Sequence, residues 1–213
     1  MKRVLFTECA MVIAIILKGQ QLKFGIIAGA VDSDILLEIE GASGGMVHMR
    51  KAGFQGGAMA DISFNPNFSI QPRLAVITKG GKLVTNASTA GISITALDLP
   101  IHMVYHYSGF FLGAGPKISY GLAAKDIALG GAVTSSLSKN LYKDTSSIAT
   151  GIILKHLDIG LSATMGFEFP GGFLIGVNYV KGLSSVNQRD HIKIRNSFYG
   201  IFVGYFLKRK TKH

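Results

Sequence analysis

Leu157-Asp158-Ile159-Gly160-Leu161-Ser162-Ala163-Thr164-Met165-Gly166-Phe167-Glu168-Phe169 alternates from end to end. Leu157, Ile159, Leu161, Ala163, Met165, Phe167 and Phe169 share one side. Asp158, Gly160, Ser162, Thr164, Gly166 and Glu168 share the other. A period of two is the mark of a β-strand, whose side chains point alternately to opposite faces. One such strand could sit in a soluble sheet with a wet face. This chain repeats the pattern about eight times and offers no helical segment to cover the apolar faces, so lipid is the cover that the pattern implies.

Working outward, the same alternation places strands at 22–31, 52–64, 68–79, 93–107, 110–125, a sixth that ends at 169, then 173–183 and 196–207. Asn65-Pro66-Asn67, Ser108-Gly109 and Pro170-Gly171-Gly172 are tight turns. The other connections are long and polar: 32–51, 80–91, 126–150 and 184–195. Long and short connections therefore alternate. An antiparallel meander with one smooth rim and one elaborated rim has this rhythm, and in outer-membrane barrels the short turns face the periplasm. Each span reaches the roughly 9–11 residues that a tilted strand needs to cross the apolar layer. The expected fold is all-β, an eight-stranded antiparallel up-and-down transmembrane β-barrel. Pro72, Pro100 and Pro116 fall inside strands, where each removes a ladder donor, so bulges there, or narrower strand bounds, are expected.

Composition agrees. Only 16% of residues are charged, low beside the usual quarter of a soluble domain. The formal charge of +10 invites a nucleic-acid reading. Much of the excess lies at the ends (Lys2, Arg3, Lys208, Arg209, Lys210, Lys212), with no interior basic stripe interleaved with aromatics. No nucleic-acid partner is expected. Residues 1–20 read as an export signal: Lys2 and Arg3 lead, and an apolar stretch follows, interrupted by Glu8 and carrying the single cysteine, Cys9. The barrel is expected over 21–208, with a basic tail at 209–213.

Charge placement supports lipid as the outer solvent. An Arg or Lys facing the bilayer middle costs about 2–4 kcal/mol in such a barrel. The apolar faces carry no charge in their middles; Lys155 and Lys181 share their parity but lie near the long-loop rim, where a lysine can snorkel. The other parity collects Lys23, Asp61, Arg73, Asp98, Lys117, Asp158 and Glu168. An eight-stranded barrel is just wide enough for its own side chains to fill it. These seven residues are expected to form a salt-bridged network inside the lumen. Tyr105, Tyr107, Phe110, Phe167, Phe169, Phe173, Phe64 and Phe68 cluster around the tight turns, as an interfacial aromatic belt would.

Catalytic chemistry is not expected. His102 and His106 lie four apart, a metal pair on a helix but well separated on a strand. His156 and Asp158, with the many serines, show no nucleophile elbow or ordered triad. No cofactor is implied.

Several segments resemble the PorT-like outer-membrane β-barrel proteins of Gram-negative bacteria. They are Phe68-Ser-Ile-Gln-Pro-Arg-Leu-Ala-Val-Ile-Thr-Lys-Gly80, Leu97-Asp-Leu-Pro-Ile101, Gly109-Phe-Phe-Leu-Gly-Ala-Gly-Pro-Lys117 and Tyr179-Val-Lys-Gly-Leu183. The resemblance implies export through the periplasm and residence in the cell outer membrane. It also treats the three prolines as part of the family pattern. The aromatic residue on which family members commonly finish would fall here at Tyr205 or Phe206. The expected role is a non-catalytic structural or accessory barrel, in contact with outer-membrane lipid and able to bind protein partners through loops 32–51 and 126–150. The alternatives are a narrow pore or small-solute transporter, and a secreted lipocalin-like barrel, which would need the opposite parity.

Overall fold

A computed structural model describes residues 21–39, 46–84, 89–129, 156–184 and 192–207. The expected signal 1–20, the tail 209–213, Lys155 and most of 126–150 lie outside these residues. Eight strands follow in chain order: β1 (Gln21–Ile39), β2 (Met46–Asn65), β3 (Phe68–Val84), β4 (Thr89–Tyr107), β5 (Phe110–Leu129), β6 (Leu157–Glu168), β7 (Phe173–Gly182) and β8 (Ile192–Leu207). Each pairs antiparallel with its chain neighbour, and β8 returns to β1, so the sheet closes as a barrel. Closure leaves no open sheet edge around the barrel, which an apolar surround demands.

The period of two becomes an inside and an outside. Leu161 is 54% exposed while its neighbour Ser162 is 3% exposed, and β6 continues that alternation over most of its length. Exposed Phe24, Ile26, Phe54, Leu112, Met165, Ile175 and Ile201 give the outer wall an apolar surface on all sides. At the tight-turn end the aromatic residues pack along the wall in a chain. Phe110 meets Phe167 at 4.8 Å, Phe167 meets Phe169 at 4.9 Å, and Phe169 meets Phe173 at 5.8 Å. At the far end Tyr179 stacks on Tyr199 at 4.7 Å. Lys181 is exposed beside that second aromatic pair.

The tight turns follow local chemistry. Asn65 Oδ1 accepts from the amides of Asn67 at 2.9 Å and Phe68 at 2.8 Å, closing an Asx turn. Ser108 (φ 49) and Gly109 (φ 87) both take positive φ, as a two-residue hairpin with the right twist requires.

Two expectations need correction. The prolines do not make bulges. Near Pro72 the β2–β3 rungs stop at Met59↔Arg73 and resume at Ile62↔Ile70 in the same register. Beside Pro100 the β3–β4 rungs lapse between Pro72↔Ile101 and Ala75↔Asp98. At Pro116 the β4–β5 rungs lapse between Pro100↔Lys117 and Met103↔Ala114. Each proline therefore drops rungs toward the preceding strand, where its missing N–H would have donated, and stays paired with the following one. The register shifts lie elsewhere, at Ser63/Asn65 and Thr95/Ala96.

The second correction concerns strand length. Segment 32–51 is mostly strand, with the β1–β2 ladder running to Glu38↔Met46, and the β4–β5 ladder runs to Thr89↔Leu129. The β5–β6 ladder ends at Tyr120↔Leu157. Among the described residues the wall is thus taller through β1–β5 than at β6 and β7. A ladder needs only backbone partners, so it continues past the level where lipid imposes an apolar face.

Candidate functional site

Among the described residues, three groups of lumen side chains stand out. Nearest the tight turns is an open vestibule of about 890 Å³, walled by Phe64, Phe167, Phe169 and the turns themselves. Lys23 and Glu168 face each other here at 3.1 Å, both partly solvent-exposed. Beside them Asp61 is buried and accepts from Ser63 Oγ at 2.8 Å, Ser69 Oγ at 3.0 Å and Gln71 Nε2. His106 Nε2 stands 3.5 Å from the same carboxylate.

The second group is apolar. Ile27, Met59, Ala75, Val104, Phe111, Leu174, Phe202 and Phe206 form one buried cluster across the barrel. Glycines opposite make room for the rings. A Cβ on Gly176 would lie 2.7 Å from Phe202 Cζ, and one on Gly29 would lie 2.0 Å from the Ile201 carbonyl oxygen. Glycine in a strand interior marks such a close approach. Arg73 lies over the Phe202 ring at 4.6 Å and donates to Gln71 Oε1 at 3.3 Å. Gln71 therefore links Arg73 to Asp61 past the apolar cluster.

The third group is a square of alternating charge from four adjacent strands: Lys79 on β3, Asp98 on β4, Lys117 on β5 and Asp158 on β6. Lys117 Nζ is 3.1 Å from Asp158 and 3.6 Å from Asp98. Lys79 Nζ is 3.5 Å from Asp158 and 3.8 Å from Asp98. Ser119 ties the square together, accepting from Lys79 at 3.1 Å and donating to Asp98. Ser184 donates to Asp158 at 3.1 Å. All four charges are buried, Lys117 to 1% exposure. Each carboxylate meets both ammonium groups, which is how ions removed from water recover their desolvation cost.

The seven residues marked in the sequence therefore fall into three places. Lys23 and Glu168 meet at the mouth. Asp61 and Arg73 belong to the Gln71-linked group. Asp98, Lys117 and Asp158 sit in the square with Lys79, which shares their parity but is not among the seven. The inward phenylalanines Phe198, Phe202 and Phe206 were also missed as lumen filling. Their four-residue spacing on the polar parity of β8 was the available signal.

The histidines are held by hydroxyl partners: His102 Nε2 lies 2.8 Å from Ser162 Oγ, and His106 Nε2 lies 2.8 Å from Ser69 Oγ. Ser69, His106 and Asp61 carry the residue types of a hydrolytic triad, but serine and aspartate approach the same imidazole nitrogen. A relay needs them on opposite nitrogens. Ser69 is also fully buried. His156 stacks on Tyr120 at 5.2 Å with Nδ1 2.9 Å from the Gly121 carbonyl, while Asp158 is committed to the square.

Among solved structures, the attachment invasion locus protein Ail of Yersinia pestis is similar at 12% identity and a TM-score of 0.43, over 88% of this chain and 99% of its own. OprG of Pseudomonas aeruginosa is similar at 12% identity and a TM-score of 0.46, over 88% and 96%. The outer membrane protease OmpT of Escherichia coli is similar at 9% identity and a TM-score of 0.37, over 88% and 96%. Among curated proteins no sequence match is found. The family model described as outer membrane protein beta-barrel domain matches residues 20–188, most of the chain. A closed barrel with an apolar outer wall and buried charges in its lumen, matched by that model over these residues, belongs to the outer membrane protein β-barrel family and resides in the outer membrane.

Proposed function

We propose that the protein is a closed, non-catalytic barrel serving as a structural or accessory component of the outer membrane, with partners bound at its two ends. The lumen carries this reading: the apolar cluster and the charge square lie in series, and together they fill the bore. An eight-stranded barrel leaves little space beyond its own side chains. Function then falls to the surfaces outside the bilayer: the vestibule framed by the tight turns, and the segments 32–51 and 126–150. Within the family we place the chain beside the PorT-like barrels, on segments 68–80, 97–101, 109–117 and 179–183. No secretion role is carried over from that likeness.

Planar-bilayer recording of the purified, refolded chain tests this. The reading expects no unitary conductance steps. Stable steps whose size changes in Lys117→Ala or Asp158→Ala would instead establish the narrow pore or small-solute transporter.

A further inference from the structure

Arg73 is 4% exposed, and among the described residues its guanidinium is only partly satisfied. A guanidinium carries five N–H donors. Here one is spent at 3.3 Å on Gln71 Oε1, and one face rests on Phe202. Arg73 Nε has no hydrogen-bond partner among the described residues, and neither has His102 Nδ1. Both residues line one internal cavity of about 20 Å³, together with Gln55, Asn178, Ser162, Lys117 and Asp98. A buried polar atom left unpaired is destabilising. Both residues border this one chamber, which has room for a guest between them.

Size and charge decide what that guest is. A water needs roughly 10–15 Å³ of such space and two or more polar partners, so the chamber suits about one water. Buried Arg73, Lys79 and Lys117 are already matched by buried Asp61, Asp98 and Asp158. An added anion would leave a net charge inside an apolar shell, which is far more costly than a neutral guest. We infer that the Arg73–His102 chamber is a hydration site, in which one water accepts from Arg73 Nε–H and donates to His102 Nδ1. This sets the histidine tautomer: Nε2–H donates to Ser162 Oγ, and Nδ1 stays bare. The site lies between the apolar cluster and the charge square, so the water completes the polar contacts of the filled bore. The inference deepens the closed-barrel reading, but its test does not depend on conductance.

The wild-type full chain suffices. Crystals soaked in bromide should show a water within about 3 Å of both nitrogens and no anomalous peak in the chamber. A dry chamber, or bromide bound there, would overturn the assignment. Nitrogen NMR of ¹⁵N-histidine-labelled chain in bicelles gives an independent reading. At neutral pH the His102 Nε2 signal should be that of a protonated nitrogen and the Nδ1 signal that of a bare one. A proton on Nδ1 would contradict the proposed arrangement.

Discussion

Replacing Lys117 with methionine keeps the length of the side chain and removes its charge from the buried square. Lys117 Nζ now sits 3.1 Å from Asp158 and 3.6 Å from Asp98. At an effective dielectric of about 20, each contact is worth about 5 kcal/mol of gross attraction. Much of that only repays the lysine's own desolvation. What the variant leaves behind is Lys79 alone between two buried carboxylates, at 3.5 and 3.8 Å. Breaking a buried pair in this way costs about 3–5 kcal/mol. Asp158→Leu should cost a similar amount. The double variant leaves Lys79 with Asp98, a balanced pair, so it should lose about 2 kcal/mol or less. Equilibrium urea unfolding in phospholipid vesicles, followed by circular dichroism because the chain has no tryptophan, completes the double-mutant cycle. Additive losses, with the double variant about 6–10 kcal/mol down, would refute the square as a coupled unit.

Lys23→Ala should cost less than about 1 kcal/mol, and salt should erase the difference, because the Lys23–Glu168 pair is partly solvated. Unfolding at low and high ionic strength checks this. Gly29→Ala should destabilise the barrel by about 3 kcal/mol or more, since its Cβ would meet the Ile201 carbonyl oxygen at 2.0 Å and the overpacked wall must move. The heat-modified gel shift of refolded chain reports the loss. Leu161→Arg places a charge on the lipid face and should cost about 2–4 kcal/mol. Lys181→Leu, beside the outer aromatic pair, should be neutral within about 1 kcal/mol in the same titration.

The barrel was legible because lipid writes a strict rule into sequence. Residues such as Ile159 and Leu161 must be apolar, their neighbours need not be, and the tight turns at 65–67, 108–109 and 170–172 punctuate the pattern. Strand ends at the long-loop side were not legible. Above the bilayer no solvent enforces the alternation, and the ladders to Glu38↔Met46 and Thr89↔Leu129 rest on backbone pairing. The lumen was half legible. Parity placed Asp98, Lys117 and Asp158 on one side, but which charges meet depends on the stagger between strands. That stagger sets Lys79 against Asp158, residues far apart in the chain. It also separates Lys23 and Glu168 from the rest. The proline staircase escaped for a simpler reason: a strand can omit a donor toward one neighbour and keep its register through the other.

Lipid on the outside and charge on the inside is the claim on which everything else rests. Spin labels on single cysteines along 157–168, in a background with Cys9 replaced by serine, test it directly in reconstituted vesicles. The account predicts a two-residue rhythm: labels at Leu157, Ile159, Leu161, Ala163 and Met165 relaxed by oxygen dissolved in the bilayer, and labels at Ser162 and Thr164 shielded from oxygen and from a water-soluble nickel complex alike. Strong relaxation of the label at Leu161 by the nickel complex, with none by oxygen, would contradict it.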